Sequence, residues 1–358
     1  MFSRLNGQGV SLAVTLTASL VLGGDAVAST INQNTSWTIN RGAASTYRVV
    51  AYGDSIFAGY NGGLFSVAKR AAPAVEGEYL AQSFGSNIEV VRRTKSGAKA
   101  DDIYNNKIVA ERSYMQSTNT RVVMFEMCGN DYLQARSAFT DQTGTCSYAG
   151  LDTALANCTT YTERAMQAIN TYATAAKAKI VMNIYYPGYD ADNVLTSCTD
   201  SSTGTRINKR AKFLPYLAKS NWRTCNLAAQ YGFQCADAFA EYMGADYDSN
   251  GDGQIDREAL RYVQGESEAA YVARITSTLA GTLRDANTHF VSSGTSYDYI
   301  QSDNTHPTFY GSTMSTGSTS SAPTFTDAQV VGGKNPEWNK SGHERAGWIM
   351  SLLDPAAP

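Results

Sequence analysis

Charge of either sign is scarce in this chain. Only 17% of its 358 residues are Asp, Glu, Lys or Arg, and together they leave a net charge of −3. No block of Lys and Arg occurs, so the electrostatic footprint of a nucleic-acid or anionic-membrane binder is missing. Long hydrophobic runs are lacking too. The stretch from Val10 to Leu22 is broken by Ser and Thr, and its 13 residues are too few to cross a bilayer. No internal repeat is present, the cysteines show no zinc-like spacing, and histidine is limited to His289, His306 and His343. A Gly-x-Ser-x-Gly elbow is absent, which removes support for the usual α/β-hydrolase. What is plentiful is apolar: at 43% hydrophobic residues the chain has enough to build a core, and neither disorder nor a coiled coil fits.

Arg4 precedes the short apolar stretch, and Ala26-Val27-Ala28 follows it as a small-x-small site before Ser29. This pattern predicts an export signal over residues 1–28, cleaved near Ala28, and a secreted or periplasmic domain over 29–358 with no membrane insertion. All six cysteines fall after that signal, which suggests three disulfides. Short loop closure favours Cys225–Cys235 and Cys146–Cys158, leaving Cys128 for Cys198.

Periodicity gives alternating strands and helices. Apolar runs at Tyr47–Tyr52, Asn87–Thr94, Arg121–Met127, Ala178–Tyr186 and Phe233–Ala238 read as buried strands. Helical patterns lie at Phe65–Gln82, Ala100–Tyr114, Leu151–Ala176, Arg206–Tyr231 and Ser341–Leu352. Short apolar strands separated by helices predict an α/β fold with a mostly parallel sheet covered on both faces. Ligands of such folds bind at the carboxyl ends of the strands. The segment from Thr288 to Asn339 is rich in Ser, Thr, Gly and Pro and reads as long loops.

Four short blocks stand at those carboxyl ends. Tyr52-Gly53-Asp54-Ser55-Ile56 follows the first strand, where a serine hydroxyl can meet substrate and Gly53 allows a tight turn. Ser96-Gly97-Ala98 follows the second strand, and a glycine there lets a backbone N–H face a ligand. Gly129-Asn130-Asp131 closes the third and offers a side-chain amide. Asp303 and His306 stand three apart in Ser302-Asp303-Asn304-Thr305-His306-Pro307, a spacing that lets a carboxylate fix an imidazole tautomer. Singly, the Gly-Asp-Ser and Gly-Asn-Asp blocks read equally well as ordinary turns.

In this order the blocks resemble the GDSL esterases and lipases, or SGNH hydrolases, over about residues 47–306. The resemblance implies a three-layer sandwich, flavodoxin-like, around a central sheet. It implies Ser55 as nucleophile, His306 as general base and Asp303 as the group that orients the imidazole. The N–H groups of Ser55 and Gly97 and the amide of Asn130 would form the oxyanion hole, with no metal in the catalysis. Asp54 is expected to hold the turn. One departure is plain: about 35 residues separate His306-Pro307 from Ser341-Gly342-His343-Glu344, where family members often run straight on. We read residues 307–340 as a loop insertion, with His343 opening the last helix and standing as the alternative base.

A separate signal lies at residues 246–258. Asp248, Asn250, Asp252, Gln254 through its carbonyl, and Asp256 alternate as oxygen donors, with Gly253 at the sixth position and Ile255 at the eighth. This spacing predicts a structural calcium loop, although position twelve is Ala259 rather than Glu. The expected activity is that of a secreted lipase or carboxylesterase on a small-molecule, lipid or polysaccharide ester. The alternatives are a carbohydrate acetylesterase of the same fold, and a non-catalytic, calcium-stabilised extracellular binding protein.

Overall fold

The computed structural model describes residues 31–60, 67–68, 70–185, 197–243, 257–279, 299–301, 303, 305–309 and 341–357. The export signal at 1–28, the calcium ligands Asp248 to Asp256 and most of the 307–340 insertion lie outside the described residues.

Five strands run parallel. They are β3 (Thr46–Gly53), β4 (Asn87–Ser96), β5 (Thr120–Glu126), β7 (Ala178–Met182) and β9 (Gln234–Ala236), and β1 (Ile31–Asn32) and β2 (Thr35–Ile39) lie antiparallel along the outer side of β4. β6 (Gly144–Thr145) and β8 (Cys198–Thr199) form a separate small pair. In β3 and β5, Val49, Val50, Ala51, Val122, Val123 and Met124 are wholly buried, as strands covered on both faces must be.

The helices are α1 (Ser55–Ala58), α2 (Ala72–Phe84), α3 (Ala100–Asp102), α4 (Gly129–Thr140), α5 (Ala149–Tyr172), α6 (Lys209–Tyr231), α7 (Ala238–Met243), α8 (Glu268–Thr278) and α9 (Gly342–Ser351). α3 continues into a π-helical segment, Ile103–Val109. On α5, Leu151, Ala154, Leu155, Cys158, Thr162, Ala165, Met166 and Ile169 recur at helical spacing and form its buried stripe. α5 packs on α4 and α6, α6 on α8, and α2 on α9, so two helical groups flank the sheet. The α/β sandwich expected from periodicity is the observed fold. Elements outside the sequence expectation include α4, which opens on an apparent turn tripeptide, α8, the β6–β8 pair and the edge strands β1 and β2.

The cysteine pairing needs correction. The disulfides are Cys146–Cys198 and Cys225–Cys235, while Cys128 and Cys158 are free and buried. Short sequence distance misled for Cys146–Cys158, because Cys158 sits on the inward stripe of α5, nine residues beyond its start. That is about 14 Å along the axis. Cys146 instead adjoins the β6–β8 pair, and its N–H donates to Thr199 O, next to Cys198. Cys158 faces Cys128, whose thiol lies 3.8 Å from Thr162 Oγ1.

The strand order places the site. From β3 the chain moves to β4 on one side, then crosses to β5 on the other. The carboxyl ends of β3 and β5 therefore frame the point where the winding reverses, the usual crevice for ligands in such sheets.

Candidate active site

Ser55 begins α1 directly after β3, with Asp54 as helix cap: Asp54 Oδ1 accepts the Ile56 N–H at 2.9 Å. Gly53 does not have a positive φ, so turn strain is not the reason for glycine there. A Cβ at position 53 would overlap the Glu126 carboxyl, and glycine is required for that close approach. Behind α1, the buried guanidinium of Arg92 on β4 donates to Ala58 O at 2.9 Å and Ala68 O at 2.8 Å. A cation at the carboxyl end of this short helix fixes the nucleophile turn from the rear.

Asp303 and His306 stand on the segment leading toward α9. Asp303 Oδ1 accepts the N–H groups of Thr305 and His306, both at 3.0 Å. Its Oδ2 lies 2.5 Å from His306 Nδ1, and His306 Nε2 lies 2.9 Å from Ser55 Oγ. An ionised carboxylate only accepts, so the proton is on Nδ1 and Nε2 is left to accept from the serine hydroxyl. Burial works against charge on Asp303, but the hydrogen bond and charge of His306, with the two backbone donors, outweigh it and hold the carboxyl below its ordinary range. The Tyr60 ring covers the imidazole at 4.4 Å between centroids. Gln301 Nε2 donates to Pro307 O at 2.7 Å, and the Tyr185 hydroxyl donates to Thr305 O, bracing the loop.

The Gly-Asn-Asp block is the first turn of α4, entered through Cys128 at φ 82°. Such a backbone is rare for a residue other than glycine, and it aims the helix start at the β3 turn. Asn130 Nδ2 donates to Asp54 Oδ2 at 2.8 Å and to Ala98 O at 3.1 Å. Asp131 Oδ2 accepts the Ala100 N–H at 2.9 Å, and burial pushes its pKa up to about 6. These bonds tie α4 to the loop of Gly97, whose φ of 75° favours glycine. The structure thus gathers Ser55, Gly97, Asn130, Asp303 and His306 at one rim.

His343, the alternative base, is elsewhere. It is fully buried, its Nδ1 accepts the Ala72 N–H at 3.3 Å, and its ring stacks on Phe309. Burial, with the charges of Arg92 and His306, holds its pKa well below the ordinary value. It has no contact with Ser55.

Beside Ser55 opens a mainly apolar cleft, lined by Tyr132, Leu133, Ile184, Tyr185, Phe213 and Leu217 among others. Arg136 also lines it. Among the described residues no group of three or more His, Cys, Asp or Glu could hold a metal ion. No described helix is long and apolar enough to cross a membrane.

Sequence reasoning missed Tyr60, Arg92, Tyr185 and Glu126. Glu126 left a trace: it is the one acidic residue in the otherwise apolar run Val122-Val123-Met124-Phe125-Glu126.

A family model for GDSL-like lipases and acylhydrolases matches residues 49–314 of the chain. No curated protein matches it. Among solved structures, the lipase Lip_vut3 from a goat rumen metagenome is 17% identical, over 66% of this chain and 100% of that one, at a TM-score of 0.42. Phospholipase A1 from Streptomyces albidoflavus NA297 is 19% identical, over 67% and 98%, at 0.42. The acetylxylan esterase Axe2 from Geobacillus stearothermophilus is 12% identical, over 66% and 94%, at 0.34.

Proposed function

The chain belongs to the GDSL-like lipase/acylhydrolase family, and from this premise we propose that it is an exported carboxylesterase or lipase acting through an acyl-serine. The observation that carries this reading is the relay from Ser55 Oγ to His306 Nε2 to Asp303, set at the mouth of an apolar cleft.

In the proposed reaction, His306 Nε2 takes the hydroxyl proton as Ser55 Oγ attacks the ester carbonyl. Asp303 stabilises the imidazolium and keeps its tautomer. The tetrahedral oxyanion is met by the N–H groups of Ser55 and Gly97 and by the Asn130 amide. Asn130 gives up its longer bond, to Ala98 O, and keeps the one to Asp54. Collapse returns the proton from His306 to the leaving alcohol, and water repeats the cycle on the acyl-enzyme.

Leu133, Ile184, Phe213 and Leu217 favour an acyl group longer than acetyl, because acetyl would leave that surface uncovered. On a p-nitrophenyl ester series we expect kcat/KM to rise from acetate through butyrate and beyond. Activity confined to acetate would favour the carbohydrate acetylesterase. A fluorophosphonate probe should label Ser55, located by mass spectrometry, and should not label Ser55→Ala. An unlabelled wild type would favour the non-catalytic binding protein.

Two further parts of the reading rest on the sequence. Cleavage near Ala28 is supported by the N-terminal pattern, and two disulfides are compatible with an oxidising compartment. A structural calcium ion is proposed at Asp248, Asn250, Asp252, Gln254 and Asp256, since carboxylates at alternate positions of one short segment repel without a cation. Excess chelator should lower the melting temperature, and an unchanged value removes the ion from the proposal.

A further inference from the structure

We infer that Glu126 is a positioning residue for the hydrolysis, holding the nucleophile turn and, through Asp54, the amide of Asn130. The inference deepens the proposed ester hydrolysis and rests on that reading.

Glu126 ends β5 and is almost wholly buried, one strand away from Ser55. Its Oε1 accepts the Asp54 N–H at 2.6 Å, and the Phe57 N–H also faces its carboxyl. Asp54 and Phe57 bracket Ser55 in sequence, so one carboxyl holds the backbone just before the nucleophile and lies against it just after. It occupies the space that Gly53 leaves open. The same carboxyl is hydrogen-bonded to the side chain of Asp54. Asp54 in turn holds Asn130 Nδ2 with Oδ2 and the Ile56 N–H with Oδ1. The chain Glu126–Asp54–Asn130 therefore sets the plane of the amide that must meet the oxyanion.

Two buried carboxyl groups in contact cannot both ionise, so they share one proton. Burial raises both, but Asp54 also faces the Ile56 N–H and the Asn130 amide, both of which favour its ionised form. Glu126 is pushed well above the usual range by burial and then by the charge of Asp54. The proton therefore sits on Glu126 and is donated to Asp54. The other titratable groups near this proton are Cys128 beside it on the chain and Tyr185 after β7, both held neutral by burial. Loss of the proton sets two carboxylates against each other and releases Asp54 from Asn130.

The test uses the full mature chain with Glu126→Gln and Glu126→Leu. Gln keeps an acceptor for the Asp54 N–H and a donor for the Asp54 side chain, whereas Leu keeps neither. We expect Glu126→Leu to lower kcat about 10²-fold, the scale of losing one oxyanion donor, with KM changed less than about threefold. Glu126→Gln should restore kcat to within about threefold of wild type. Wild-type kcat should fall at alkaline pH as Glu126 ionises, and Glu126→Gln should lack that fall. If Glu126→Leu fails to fold, the Gln profile decides alone: an unchanged alkaline limb overturns the inference. Wild-type kcat in a folded Glu126→Leu also overturns it, with probe labelling of Ser55 still intact. A wild type that neither hydrolyses esters nor takes the probe overturns the hydrolase reading and this inference with it.

Discussion

His306 and His343 sit in environments of similar kind at different places, and they differ in what faces their ring nitrogens. Each is buried, each stacks on an aromatic ring with centroids 4.4 Å apart, and each follows a small polar segment beside α9 or on it. Around His306 both ring nitrogens have partners of opposite kind, a carboxylate on Nδ1 and a hydroxyl on Nε2. Around His343 a backbone N–H occupies Nδ1, and Nε2 has no hydrogen-bond partner. The first arrangement is a path for a proton. The second is a cap on the start of α2. Burial alone does not distinguish a general base from a packing residue; the donors and acceptors aimed at the ring do.

The sharpest way to break this comparison is to remove each imidazole. His306→Ala should lower kcat by roughly 10⁴-fold or more, as loss of a triad base does elsewhere. His343→Ala should leave kcat within about twofold and instead cost about 1–3 kcal/mol of stability, from the cavity and the unpaired Ala72 N–H. Ester turnover and thermal melting measured on both variants decide it. Loss of kcat in a well-folded His343→Ala would dissolve the distinction. The His343 ring also carries a pH signature. Its folded pKa is depressed, so its share of stability is complete above the ordinary value of 6.5 and lost as pH falls below it.

Next in size are the groups that aim the two reacting atoms. Asp303→Asn should cost about 10³–10⁴ in kcat, because the amide can hold the wrong tautomer. Asn130→Ala should cost about 10²–10³, the loss of one oxyanion donor. Steady-state kinetics on a short ester separates the two, and equal losses would mean that Asn130 does more than donate one hydrogen bond.

Much of this contrast was readable before any coordinates. Val49-Val50-Ala51 and Val122-Val123-Met124 announce buried parallel strands, and Gly-Asp-Ser after the first places a hydroxyl at the sheet's carboxyl edge. The Asp303–His306 spacing needs only local geometry, so it too was legible. What stayed hidden depends on register between distant segments. Nothing local says that Glu126 will lie under Gly53, since that requires β3 and β5 to be neighbours in a particular register. Nor does any local pattern show that Cys128 adopts a left-handed backbone and turns Gly-Asn-Asp into a helix start. The pairing of Cys146 with Cys198 likewise follows from the β6–β8 contact across 52 residues, not from loop length.

The smallest expected effect concerns a second carboxyl pair, far from any proton path. Glu76 on α2 is fully buried, and its carboxyl faces that of Asp354, just beyond α9. Like Glu126 and Asp54 they must share a proton, but here no substrate group depends on it. Burial pushes Asp354 up to about 7 from an ordinary value of 3.8. A raised acid binds more protons folded than unfolded, so its stabilising share is complete below about pH 4 and is lost as pH rises through 7. Asp354→Asn should therefore melt higher than wild type at pH 8, by a few degrees at most, and the gap should close toward pH 4. Its kcat should not change. Parallel melting profiles across that range would mean the pair ionises freely and does not clamp the end of the chain to α2.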